Sequence, residues 1–187
     1  AATDWVMRSY FGRINLSWAD KYLFEGNIRR DGSSRFHKNH RWGTFPSFSL
    51  GWRISEENFL KSVKWINMMK LRFSWGALGN NAVDNYEYQS VYNKDNYILG
   101  NAVMQGLAQT QLANAMVSWE TTYVTNIGLD FNLFGSKLDG TIDVFNKDTR
   151  DILIDLPAPL LVGNASIPTQ NAARVRNKGI EMNLKWN

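Results

Sequence analysis

The sequence contains no cysteine. That excludes a disulfide framework, a thiol nucleophile and a thiolate metal site. Histidine is scarce, with 2 residues in 187. His37 and His40 stand in an H-x-x-H spacing within a polar segment, a pattern more often solvated than metal-bound. Long apolar runs are missing too. The longest uncharged stretch, residues 96–119, holds Asn101, Gln105, Gln109, Gln111, Asn114, Gly100 and Gly106. It falls short of the roughly 18 consecutive apolar residues of a membrane helix and is expected to form a long loop with a short helix. Residues 1–5 lack the basic and apolar regions of a signal peptide. There is no G-x-S-x-G elbow and no standout carboxylate pair, and Gly76-Ala77-Leu78-Gly79 is too incomplete for a phosphate loop. The sequons Asn15-Leu16-Ser17 and Asn164-Ala165-Ser166 are short enough to arise by chance. An enzyme, a metal and a cofactor are therefore not expected.

Charge is also modest. A net +4, from 21 Lys+Arg against 17 Asp+Glu, does not argue for nucleic acid. The basic run from Arg29 to Arg35 is compatible with RNA, but a strand end turning at Asp31-Gly32 explains it as well. No RNP-like or zinc pattern supports nucleic-acid binding.

Aromatic residues are plentiful. They make up 13% of the chain, with 8 Trp, 7 Tyr and 10 Phe, although mean hydropathy is only −0.36. That load excludes disorder. A soluble domain of this size has limited room to bury so many rings.

The repeated pattern is a period of two, the signature of strands. Tyr10, Ile14, Leu16 and Trp18 alternate with Ser9, Arg13, Asn15 and Ser17. Phe48, Leu50, Trp52 and Ile54 alternate with Ser47, Ser49, Gly51 and Arg53. Met69, Leu71, Phe73 and Trp75 alternate with Lys70, Arg72 and Ser74. The same alternation gives strands over residues 8–18, 22–31, 47–54, 69–76, 123–133, 138–147 and 177–187. Phe11, Leu23 and Phe145 are the exceptions on the polar faces.

Two folds fit this split. One is a soluble β-sandwich, for instance a carbohydrate-binding module, with its apolar faces inward. The other is a membrane barrel with its apolar faces toward lipid. The connections favour the barrel. Residues 19–21, 55–68 and 134–137 are shorter links than 32–46, 77–122 and 148–176. Outer-membrane barrels alternate in this way, with short periplasmic turns and long extracellular loops. The rings agree: Trp18, Tyr22, Trp65, Phe134 and Trp186 fall near the short-turn end. Tyr10, Trp42, Phe45, Trp75 and Tyr123 fall near the other, as in two interfacial belts. In the link over 55–68, Ser55 followed by Glu56 and Glu57 is expected to cap a short helix.

At these segments the sequence resembles the SusC/RagA group of TonB-dependent outer-membrane transporters. The runs that carry the resemblance are Arg29-Arg30-Asp31-Gly32-Ser33-Ser34-Arg35-Phe36, Arg41-Trp42-Gly43-Thr44-Phe45-Pro46-Ser47 and Gly51-Trp52-Arg53-Ile54-Ser55-Glu56-Glu57. Further along are Leu71 to Asn80, Trp119-Glu120-Thr121-Thr122, Asn126 to Phe131, Asp143 to Lys147 and Asn177 to Glu181. Asn114-Ala115 departs from the family's usual Asn-Pro. The resemblance implies an all-β, antiparallel, up-and-down transmembrane barrel of 22 strands with an internal plug. This chain would supply about seven of those strands, with long extracellular loops. Residues 1–187 would then be a partial barrel domain, with the plug, the TonB-binding segment and the signal peptide outside it.

The resemblance further implies import of large nutrients, glycans and sometimes peptides, across the bacterial outer membrane. The partners would be a SusD-like surface lipoprotein acting as a lid, TonB acting through the plug, the rest of the barrel, and lipid. Trp42, Tyr86, Tyr88, Tyr92 and Tyr97 are candidates for substrate or lid contact, because flat rings stack on sugars or pack on a partner. The 148–176 loop, with Pro157, Pro159 and Pro168, is expected to be stiff in parts. Lumen-facing charges are uneven along the chain. Arg13, Arg29, Arg53, Lys70 and Arg72 stand against Glu25 in the first four strands. Asp130, Asp139, Asp143 and Glu181 stand against Lys185 in the last three. Such patches would seat complementary charges on the plug.

Overall fold

A computed structural model describes residues 3–157, 163 and 165–187. Seven strands pair in sequence into one antiparallel sheet. They are β1 (Met7–Trp18), β2 (Tyr22–Ser33), β3 (Trp42–Arg53), β4 (Ile66–Asn80), β7 (Glu120–Leu133), β8 (Leu138–Ile154) and β9 (Gln170–Trp186). The other two, β5 (Val91–Leu99) and β6 (Ala102–Gln111), form a separate hairpin between β4 and β7. The sheet is open, with β1 and β9 at its edges.

Strand pairing puts the alternation into register. Ile127 on β7 pairs with Val144, and Val144 with Ile180, so one apolar row crosses three strands. These side chains are not covered. Ile14 is 61% exposed, Ile180 71% and Trp186 70%. A sandwich would bury this face against a second sheet, so the sandwich is not favoured. A face this apolar and this exposed needs lipid as its solvent.

The small buried core lies on the opposite, polar side near the long loops. It consists of Phe36, Phe45, Val83, Val117 and Trp119. Phe45 shares the polar face with Ser47 and packs edge-on against Trp119, with ring centres 5.4 Å apart. The ring expected in a lipid belt therefore points inward, because the 81–119 segment folds back over it.

The belts otherwise form as rows of stacked rings. At the long-loop end Tyr10 stacks on Trp42 at 5.9 Å and Trp75 on Tyr123 at 6.2 Å. At the short-turn end Trp18, Tyr22 and Trp52 stack in series, and Trp65 stacks on Phe134 at 5.7 Å. The β1–β2 turn is tight: Lys21 N–H donates to Trp18 O at 3.1 Å across Ala19 and Asp20, both at positive φ. That conformation matches the twist of the flanking strands.

Three expectations are corrected. Residues 96–119 hold no helix; most of the first part is the β5–β6 hairpin, turning at Gly100 with φ 65°. The link after β3 contains only a 3-10 turn over Ile54–Glu56, preceded by Arg53 with no side-chain cap, so Ser55 does not cap it. The strands are also longer than the alternation indicates. β3 begins at Trp42 and β8 runs to Ile154, because hydrogen-bonded pairing continues after the apolar pattern stops. Pro159 and Asn164 lie outside the described residues.

Glu57 fixes the short-turn end. Its carboxylate accepts hydrogen bonds from Tyr22 Oη (2.7 Å), Lys21 Nζ (3.0 Å) and Trp52 Nε1 (3.2 Å). It thereby ties the β1–β2 turn to the link after β3. Donation by Tyr22, then by Lys21 and Trp52, lowers its pKa from the ordinary 4.5 to about 2.

Two tests use the protein refolded in lipid vesicles. Ile127→Arg should destabilise the folded barrel by about 2–4 kcal/mol in lipid vesicles. Asn183→Arg on the polar face should change it by about 0.5 kcal/mol or less in the same urea titration. Because the Glu57 pKa is depressed on folding, its contribution is present above pH 4.5 and is lost as pH falls through about 2. The gap in urea midpoint between parent and Glu57→Gln should therefore be constant at neutral pH and close over that acid range.

Candidate functional site

The polar face is held by side chains on neighbouring strands rather than left as free charge. Arg72 on β4 is its centre. Its Nε and Nη2 donate to the two carboxylate oxygens of Asp130 on β7, both at 2.8 Å. Nη2 also reaches across β7 to Asp143 on β8, at 3.1 and 3.2 Å. Gly128 lies directly under this bridge. A Cβ there would fall 2.7 Å from Arg72 Nη2. Only glycine leaves the guanidinium room to span three strands.

The two charge blocks expected from the sequence thus meet at the β4–β7 seam, where Arg72 of the first holds Asp130 and Asp143 of the second. Asn126 Nδ2 adds a donor to Asp143 at 3.1 Å. Asp139 accepts from Asn132 and, at 3.0 Å, from Asn187. Arg29 pairs with Asp31 at 2.7 Å. Arg13 donates to Asn27 at 2.7 Å and stands 3.7 Å from Glu25. Arg53 donates to the Asp20 carbonyl at 3.2 Å. Lys70 lines a groove with Glu25, Ser49, Gly51 and Arg72. Glu181 faces Asp143 by register.

The ring candidates do not form one cluster. Trp42 is on the outer face, stacked on Tyr10 and 5.3 Å beneath the Arg30 guanidinium. It belongs to the belt rather than to a loop tip. Tyr86 sits at φ 66° and donates to the Asp4 carbonyl at 3.1 Å. Tyr88 packs edge-on against His37 at 6.0 Å. Tyr92 and Tyr97 are exposed on opposite faces of β5.

Sequence reasoning missed Glu87. This buried carboxylate accepts from Thr169 N–H at 2.8 Å and from Thr169 Oγ1 at 3.1 Å. Asn114 Nδ2 donates to the Thr169 carbonyl at 2.9 Å. The loop after β4 and the loop before β9 are thus one bonded unit, strengthened by a backbone bridge between Gln111 and Ser166. Glu87 stands in no alternating pattern, so nothing local in the sequence marks it.

The family model described as TonB dependent receptor-like, beta-barrel matches residues 2–187. The chain belongs to the TonB-dependent receptor β-barrel family. Its members are outer-membrane transporters and receptors, not enzymes. The chain is 40% identical to TonB-dependent receptor P39 of Formosa agariphila, covering 98% of this chain and 17% of that protein. It is 39% identical to TonB-dependent receptor SusC of Bacteroides thetaiotaomicron, covering 98% and 19%. It therefore spans under a fifth of the length of these curated relatives. The RagAB peptide importer in its closed-closed state superposes with a TM-score of 0.86 at 30% identity, over 96% of this chain and 19% of that one. The siderophore receptor PirA from Pseudomonas aeruginosa shares the fold alone, with a TM-score of 0.63 and 13% identity over 95% and 30%.

Breaking the seam tests its role. Arg72→Met in the full-length receptor should lower stability by about 1 kcal/mol, since the pair is partly solvated. Gly128→Val should cost a similar amount by displacing the same guanidinium. Because both remove one bridge, the double variant should fall short of the sum.

Proposed function

We propose that residues 1–187 form part of the barrel wall of a TonB-dependent importer of large nutrients, glycans or peptides. A SusD-like surface lipoprotein would cover its extracellular mouth, and TonB would act through a plug outside this chain. The observation that carries this reading is the exposed apolar face bounded by two rows of stacked rings. The SusC and RagAB likenesses direct it to import rather than to a porin. β1 and β9 would pair with further strands, because open sheet edges are not tolerated in hydrocarbon. The step is noncovalent: a nutrient is bound at the mouth, and the plug moves to admit it.

Within this reading the lumen charges outside that seam seat the plug. Arg72, Asp130 and Asp143 satisfy one another, which leaves that role to Arg53, Lys70 and Glu181, and to Arg13, which Glu25 holds only loosely at 3.7 Å. The hairpin rings Tyr92 and Tyr97 are the substrate or lid contacts.

A strain carrying the full-length receptor tests this. Its deletion should abolish growth on one class of oligosaccharide or peptide too large for porins, and the tagged receptor should co-purify with a surface lipoprotein. Reversing Arg13, Arg53 and Lys70 to Glu should lower uptake severalfold while leaving the receptor in the outer-membrane fraction. Unimpaired growth on every such nutrient would refute the import assignment.

A further inference from the structure

The outer face changes character at the aromatic row. Three rows cross β7, β8 and β9 on this face. Ile127, Val144 and Ile180 form the apolar row. Two residues further toward the long loops stand Thr125, Asn146 and Lys178, and then Tyr123, Asp148 and Arg176. Arg150 and Arg174 continue the same faces of β8 and β9. From Val144 to Asp148 the surface rises about 13 Å along the strand. This is the level of the stacked Trp75 and Tyr123 rings, which mark where hydrocarbon gives way to headgroups.

Asp148 is the one acid among these cations and is 4% exposed. It gathers three arginines: Arg174 Nε at 2.8 Å, Arg150 Nη2 at 2.8 Å and Arg176 Nη2 at 3.4 Å. Arg150 also lies 5.0 Å over the Tyr123 ring. Each arginine remains about half exposed, at 49%, 50% and 49% for Arg150, Arg174 and Arg176. One carboxylate cannot neutralise three guanidiniums and Lys178. It can hold them in place, with their remaining N–H donors facing outward. Fixed guanidinium forks match phosphate oxygens in bidentate geometry.

We propose that Arg150, Arg174, Arg176 and Lys178, organised by Asp148, form a site on the outer wall for the phosphorylated headgroup of an outer-leaflet glycolipid. The charge is complementary and the height is that of the headgroups. The long loops lie at the same end, which places the cluster in the outer leaflet. The inference rests on the outer-membrane orientation and not on what the receptor imports.

The test uses the intact receptor in detergent, titrated with purified lipopolysaccharide, with the same lipid dephosphorylated, and with inorganic phosphate. The parent should bind the phosphorylated lipid at least about tenfold more tightly than either other probe, as expected for charge-assisted hydrogen bonds. A variant combining Arg150→Gln, Arg174→Gln and Arg176→Gln with Asp148→Asn, so that no carboxylate is stranded, should lose about the same factor. Arg176→Gln with Lys178→Gln leaves the Arg174–Asp148 pair intact and guards against misfolding; it should weaken binding about threefold. Equal binding of the dephosphorylated lipid or of free phosphate would overturn the assignment, as would unchanged binding by both variants. Loss of the parent receptor from the outer-membrane fraction would instead count against the transporter reading.

Discussion

Hydrocarbon offers no hydrogen bonds, so backbone groups that cross it must pair with other backbone groups. The described residues hold no long apolar helix and meet that need with laterally paired strands. The rest of the architecture follows. A strand shows its side chains alternately to two faces, so one face meets lipid and the other meets the lumen. A shift of one residue in register would turn Ile127, Val144 and Ile180 inward and Arg72, Asp130 and Asp143 into lipid. The cost of such a slip makes the pairing unambiguous across the membrane.

The lumen side meets the opposite requirement. Its polar groups are hydrated, yet they are also cross-linked. Arg72 reaches over β7 to bind two strands at once, and it can do so because Gly128 has no side chain. This arrangement removes an isolated cation and two isolated anions from the wall together. It also places a three-residue ionic bridge where β4 meets β7, the pair separated by the longest loop. Strands joined by a tight turn are held in register by the turn, as β1 and β2 are by residues 19–21. β4 and β7 have no such help, so side chains supply it.

The same distinction explains what could be read from the sequence. Period-two alternation marks every strand that crosses lipid, because lipid and lumen act on alternate residues. Alternation stops at the membrane surface, and so did the legible strand ends: Trp42 to Pro46 and Asp148 to Ile154 continue in the sheet beyond the hydrocarbon, where Phe45 is covered by protein and Asp148 by its arginines. The β5–β6 hairpin was also illegible, since Val91–Leu99 and Ala102–Gln111 pair only with each other, outside the seven-stranded sheet. Its turn at Gly100-Asn101 stood within the uncharged run, but without alternation the run looked like a loop. The charge blocks were legible as composition. The bridge from Arg72 to Asp130 and Asp143 was not, because it depends on the register of β4 against β7 across a loop of unknown path. Phe45 looked like a belt ring from its distance along the strand, but distance along a strand does not say which face a ring takes.

The extracellular segments obey a different rule from the wall. No bilayer imposes a pattern on them, so their order must come from specific contacts. Glu87 shows how few are needed. One buried carboxylate satisfies the backbone N–H and the hydroxyl of Thr169, and its own carbonyl accepts from Asn114 N–H at 3.0 Å. A buried acid without such partners would be costly, so its burial and its bonding require each other. Two loops that are far apart in sequence thereby present a single surface. Any molecule that approaches the barrel mouth over this arc meets both loops together, and a displacement of one must either carry the other with it or expose Glu87.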